Sequence, residues 1–263
     1  MKNLYVFGDS FSADYPWIPK AERNWSYHKI IANELNLKYN NFSAIGSGLE
    51  YTFEQFEIHR EFINNDDLVI ICLTSLDRTY FFPDKPYIKD IQSINKDSNL
   101  DTNEIDALKY YTGYLGKHHA KKMLFHLINF LHSVNDLSSQ MEHKILILDG
   151  CVYARDTELY NHVTNDRFKN LAIPNGIMTE ISAYEATSYD LIRAINNRDG
   201  GDGRLNHLCK INHEVLANKI LNFYLNNNIF DLISGFHERI FSSLDYYELS
   251  YQWSSKWPVD FDD

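Results

Sequence analysis

The run Asp67-Leu68-Val69-Ile70-Ile71-Cys72-Leu73 constrains this chain more than any other stretch. After the leading acid it holds no polar residue, so a strand built from it is apolar on both faces. A strand with one wet face alternates apolar and polar residues. A continuous run is what a central parallel strand needs, covered on both sides. Asn3 to Phe7 and Lys144 to Leu148 read as further buried strands, and Tyr39 to Phe42 reads as a short companion strand. Between them lie segments of helical spacing. Trp25 to Leu37 carries Trp25, Ile30, Ile31, Leu35 and Leu37. Tyr51 to Ile63 offers Phe53, Phe56, Ile58 and Phe62 as inward residues. Lys117 to Leu137 carries Met123, Leu124, Leu127, Ile128, Leu131 and Val134. A last helix is predicted within His207 to Asn227, and another over Ser188 to Asn197. Strands alternating with helices predict parallel β-α units joined by right-handed crossovers.

A chain of 263 residues can bury one sizeable core. Two segments depart from the β-α rhythm. Residues 80–116 contain Pro83, Pro86 and many polar residues, and read as an insertion, helical near Glu104 to Leu115. Residues 229–263 are rich in Tyr, Trp and Phe and end in Asp-Phe-Asp-Asp. That many aromatics predict an extension that packs on the 1–228 domain, closes the cleft or docks a protein partner. The net charge of -11 argues against nucleic acid and anionic membrane surfaces as partners. No apolar stretch approaches the ~20 residues of a membrane-spanning helix, and the N-terminal run is too short for a secretory signal. Cys72, Cys151 and Cys209 are odd in number and widely spaced, which suggests neither disulfides nor a zinc site. Free thiols predict a reducing compartment, and so a cytoplasmic protein.

In a parallel sheet, ligands sit at the carboxyl ends of the strands. The first strand ends in Gly8-Asp9-Ser10, the third in Thr74-Ser75 and the fourth in Asp149-Gly150. A serine there becomes a nucleophile when a base takes its proton and donors hold the oxyanion. Gly46, in the Asn41-to-Gly48 stretch after the second strand, allows a backbone N–H to approach a substrate oxygen. His207 stands in a polar loop before the last helix, with a side chain able to act as base near neutral pH. The His118-His119 pair is expected to face solvent at a helix start. Cys209 is expected to fill space.

These residues carry a family resemblance. VFGDSFS resembles the first block of the SGNH, or GDSL, hydrolases, and NFSAIGSG is similar to the second. NHLCKINHEVLANKI resembles the last, with a histidine followed six residues later by a helix residue, here His213. The blocks follow the family's order and span residues 4 to 220. The resemblance implies a three-layer α/β/α sandwich with a mainly parallel, flavodoxin-like sheet. It implies Ser10 as nucleophile, His207 as base and the N–H of Gly46 in the oxyanion hole, with Asp9 orienting the loop. It implies a serine esterase needing no metal or organic cofactor, and a carbohydrate O-acyl or small acyl ester as substrate.

Two departures stand out. The family's third block supplies an Asn as oxyanion donor. Here the stretch reads Cys72-Leu73-Thr74-Ser75-Leu76-Asp77-Arg78, so Ser75 or Thr74 is the nearest polar substitute. Arg78 would be either a structural cation or a selector of anionic substrates. The family's last block places Asp three residues before His, where this chain has Arg204. Asp202, or Asp199, could partner His207 if the Gly-rich loop folds back; otherwise Ser10 and His207 would act as a dyad. The departures leave two rival readings. One is an SGNH fold kept as a binding or structural module, and the other is an O-acyltransferase using the same residues.

Overall fold

A computed structural model describes residues 2–14, 24–74, 106, 116–141, 145–149, 171–172, 208, 210–226 and 235. The elements in chain order are β1 (Asn3–Phe7), α1 (Tyr27–Glu34), β2 (Lys38–Asn41), α2 (Leu49–His59), β3 (Leu68–Leu73), α3 (Gly116–Met141), β4 (Ile145–Asp149), β5 (Leu171–Ala172) and α4 (Lys210–Asn226). The strands form one sheet in the order β2-β1-β3-β4-β5, and every pair is parallel. The register places Val6 between Asn41 and Ile70, and Leu73 beside Asp149. β3 is central and buried along its whole length, as its continuous apolar run requires.

Strand alternation sorts the core into two layers. Leu4, Val6, Ile70, Cys72, Leu146 and Leu148 face Tyr27 and Ile31 of α1 and Leu216 and Ile220 of α4. Tyr5, Phe7, Val69, Ile71, Leu73 and Ile147 face Leu49 and Phe56 of α2 and Met123, Leu127 and Leu131 of α3. The architecture is therefore the expected three-layer α/β/α sandwich around a parallel sheet.

The helix ends explain the path of the chain. α1 stops at Asn36, whose φ of 50° is left-handed. Around it, the N–H of Leu37 bonds Ala32 O at 2.8 Å and that of Asn36 bonds Asn33 O at 3.2 Å. This is a Schellman turn, and it feeds the chain into β2. α2 tightens into a 3₁₀ turn over Arg60–Phe62. Here two expected inward residues are corrected: Ile58 is 54% exposed and Phe62 62% exposed. Ile58 follows the buried Phe56 by two positions, or about 200° around the helix, which turns it to the opposite face. The change to 3₁₀ geometry carries Phe62 outward as well, while its carbonyl accepts the Tyr5 hydroxyl at 3.0 Å.

β5 spans two residues, with no apolar run to announce it in the sequence. The expected Ser188–Asn197 helix, Cys151 and Cys209 lie outside the described residues. The same holds for all of the 80–116 insertion but Asp106 and Gly116, both helical, and for all of the C-terminal extension but Gly235.

Candidate active site at the ends of β1 and β3

In this strand order the chain leaves β1 toward β2 on one side and returns to β3 on the other. The crevice at such a switch point, outside the carboxyl ends of the strands, is where doubly wound sheets bind ligands. Gly8-Asp9-Ser10 leaves β1 there, and Thr74 leaves β3 beside it.

The turn is held from several directions. Gly8 has φ +155°, and a Cβ added to it would lie 2.9 Å from both the Cβ and the carbonyl oxygen of Cys72. Only glycine lets β1 end this close to β3. The carbonyl of Asp9 accepts the N–H groups of Ser12 at 3.0 Å and Ala13 at 2.9 Å, which winds residues 9–13 into a tight turn. The Asp9 side chain is fully buried and serves two neighbours. Oδ1 accepts the Phe11 N–H at 3.0 Å, and Oδ2 accepts the Thr74 hydroxyl at 2.6 Å. Asp9 therefore staples the turn after β1 to the end of β3. The Thr74 hydroxyl proton, one of the two oxyanion candidates in the third block, points to Asp9. Ser10 sits in this turn and is buried.

The loop after β2 is clipped to the same turn. The Ala44 N–H and the Ser47 hydroxyl both donate to the carbonyl of Gly8, at 3.1 and 3.2 Å. Gly46 lies between them with φ +74°, a left-handed conformation that side chains rarely adopt. Asn41, to which the sequence reading assigned no role, ties the two loops together. Its amide donates to Ser12 O at 2.8 Å and to Tyr39 Oη at 2.7 Å, and its Oδ1 accepts the Ser43 N–H at 2.9 Å. The signal for it was its place at the head of the NFSAIGSG stretch.

A polar cluster lies at the far end of the turn. The Tyr39 hydroxyl donates to Asp14 Oδ1 at 3.2 Å and lies 2.7 Å from His28 Nδ1. Lys29 Nζ pairs with Asp14 at 2.8 Å. A carboxylate only accepts, so the phenol proton goes to Asp14 and the imidazole Nδ1–H donates to Tyr39. Burial, reinforced by the neighbouring Lys29 charge, lowers His28 to about 3, so it is neutral near pH 7. Burial and then the Asp14 charge push the Tyr39 phenol well above the ordinary tyrosine range. Both groups hold the loops as neutral hydrogen-bonding partners.

The structure thus brings Asp9, Ser10 and Gly46 into one pair of stitched loops. His207, Asp202, Asp199, Ser75 and Arg78 lie outside the described residues. Leu208, next to His207, is 1% exposed and belongs to the same buried cluster as Phe11 and Tyr27. Among the described residues, no group of three His, Cys, Asp or Glu side chains is placed to hold a metal ion. None of the described helices is long and apolar enough to cross a membrane.

No family model matches the chain, and no curated protein matches it. Solved structures do. One is a member of the lipolytic protein G-D-S-L family from Veillonella parvula DSM 2008, at 12% identity and TM-score 0.43, covering 86% of this chain and 100% of that one. A second is the psychrotrophic esterase EstA from Pseudoalteromonas sp., in a form inhibited by monoethylphosphonate, at 11% identity and TM-score 0.42, covering 87% and 100%. A third is a carbohydrate esterase whose active site displays divergent catalytic and non-catalytic binding functions, at 12% identity and TM-score 0.45, covering 86% and 69%.

Proposed function

We propose that the chain is a serine hydrolase of the SGNH type that cleaves a carbohydrate O-acyl or small acyl ester. The observation that carries this reading is the Gly8-Asp9-Ser10 turn at the switch point of the sheet, with the Gly46 loop hydrogen-bonded to the Gly8 carbonyl. An acyl-transfer site needs a nucleophile and backbone donors fixed to each other before substrate arrives. The bonds from Ala44 and Ser47 to Gly8 are of that kind.

In the first half-reaction Ser10 Oγ attacks the ester carbonyl carbon while His207 takes the hydroxyl proton. The N–H groups of Ser10 and Gly46 stabilise the oxyanion, with Ser75 as a further donor in place of the family's Asn. The tetrahedral adduct collapses, the alcohol leaves with the proton from His207, and Ser10 is left acylated. Water, deprotonated by His207, then attacks the acyl carbon; the second adduct collapses, Ser10 Oγ leaves and takes the proton back from His207, and the carboxylic acid is released. Asp202 orients the imidazole, and Arg78 favours anionic substrates. The catalytic domain is residues 1–228, and the 229–263 extension packs on it and offers a protein-docking surface. The setting is cytoplasmic.

The test compares wild type with Ser10→Ala in p-nitrophenyl acetate turnover and in fluorophosphonate labelling. Wild type is expected to label at Ser10, and the variant to lose labelling and on the order of 10⁴-fold or more in turnover. A wild type that folds but never labels, at high enzyme and long exposure, favours the binding-module reading instead. Competition between water and sugar acceptors for the acyl group separates hydrolase from acyltransferase.

A further inference from the structure

Three side chains outside the proposed chemistry join the Ser10 turn to the helix that follows His207. Tyr27, the first residue of α1, is fully buried, and its hydroxyl lies 2.6 Å from Ser12 Oγ, two residues after Ser10. Its backbone N–H donates to His213 Nδ1 at 3.2 Å. Its ring stacks on the His213 imidazole, with centroids 5.9 Å apart and planes 10° from parallel. Trp25 packs edge-on against the same imidazole, with ring centroids 5.0 Å apart. His213 is 1% exposed, in the first turns of α4, six residues after His207.

Packing alone does not ask for this arrangement. A leucine or phenylalanine would fill the same layer, whereas a buried polar group costs stability unless its partners are in place. Hydrogen bonds are directional, so they set separations that apolar contacts leave loose. Here one tyrosine joins both sides: its hydroxyl meets the Ser10 turn and its amide meets His213 of α4, the helix that follows His207 in the chain. Nδ1 of His213 accepts that amide proton, so the ring presents a lone pair to the Tyr27 backbone.

We propose that Tyr27 and His213, acting with Ser12, are positioning residues that set the approach of His207 to Ser10. The proposal rests on the reading of Ser10 as nucleophile and His207 as base. A misplacement near 1 Å between reacting groups costs about 10²-fold in rate, so a small slackening of this bridge is visible in the chemistry.

The experiment uses the full chain with Tyr27→Phe, Ser12→Ala, His213→Leu and His213→Asn. Four quantities are read: Tm, the rate of fluorophosphonate labelling at Ser10, and kcat and KM for p-nitrophenyl acetate, the last three measured well below each variant's Tm. Tyr27→Phe and His213→Leu are expected to slow labelling and kcat by about 10- to 100-fold with little change in KM. His213→Asn should recover most of the rate, because its Oδ1 stands near the position of Nδ1 and accepts the same N–H. Ser12→Ala should act like Tyr27→Phe, and the double variant should be no slower than either, since both remove one bond. Variants that lose Tm but label at the wild-type rate would overturn the positioning role and leave a packing role. So would His213→Asn being as slow as His213→Leu. A wild type that does not label at all brings down the Ser10–His207 reading and this inference with it. Labelled wild type with unaffected variants brings down the inference alone.

Discussion

Replacing Gly8 by alanine tests the claim that the Gly8-Asp9-Ser10 turn is held by close contact with β3. The added Cβ would sit 2.9 Å from Cys72 Cβ and 2.9 Å from the Cys72 carbonyl oxygen, with Ser12 Oγ at 3.4 Å. The first two atoms belong to a central strand and cannot swing aside as a side-chain tip would. Overpacking of this kind costs about 1–3 kcal/mol. A side chain at φ +155° adds about 1–3 kcal/mol of backbone strain. The two overlap where the backbone relaxes, so the expected loss is about 2–5 kcal/mol. With an m-value near 2 kcal/mol/M in urea, a loss of about 3 kcal/mol moves the unfolding midpoint down by about 1.5 M. Urea titration followed by far-UV circular dichroism measures this at unchanged m. The clashing atoms also specify what cannot help. Cys72→Ala keeps both the Cβ and the carbonyl, so the Gly8→Ala penalty measured in that background should match the wild-type penalty within about 0.5 kcal/mol. A penalty below about 1 kcal/mol, or its disappearance in the Cys72→Ala background, would refute the steric argument.

Two further outcomes follow from the same loops. Thr74→Val removes the hydroxyl that bonds Asp9 Oδ2 at 2.6 Å and should cost about 1.5–3 kcal/mol in urea unfolding, whereas Thr74→Ser, which keeps the donor, should cost less than half as much. His28 should make stability pH-dependent: the native chain holds it at about 3 against an ordinary 6.5, so below about pH 6.5 the unfolded chain binds a proton that the folded chain refuses. Stability therefore falls as pH drops through that window, by about 3 kcal/mol at pH 4 from this group, and Tm against pH should be flatter for His28→Asn than for wild type by that amount. An unchanged slope would mean that His28 protonates in the fold beside Asp14, Tyr39 and Lys29.

The sheet was legible because burial on both faces writes itself into sequence as unbroken apolar runs. β1, β3 and β4 fall within a residue or so of the runs that announce them. Helix faces were legible where the pattern was long. In α3, Met123, Leu127, Leu131 and Val134 are buried as their spacing predicts. α2 is short and ends in a 3₁₀ turn, and there the spacing did not settle the phase, so Ile58 and Phe62 were assigned to the wrong side. In the site, Gly8-Asp9-Ser10 and Gly46 were visible as residue types at strand ends. Their stitching was not, because no local pattern encodes it.

By itself, then, the sequence determined the α/β class, the parallel sense of the sheet and the strand ends that carry polar chemistry. These depend on periodicity and on residues near one another in the chain. Only the tertiary structure decided that Asp9 bonds Thr74, 65 positions away, and that Tyr27 bonds His213, 186 positions away. The strand order β2-β1-β3-β4-β5 was likewise decided there, and it puts the Ser10 turn at the switch point. Hydrogen bonds between distant residues leave no period in the sequence, since each needs only one donor and one acceptor brought together by the packing of everything between them.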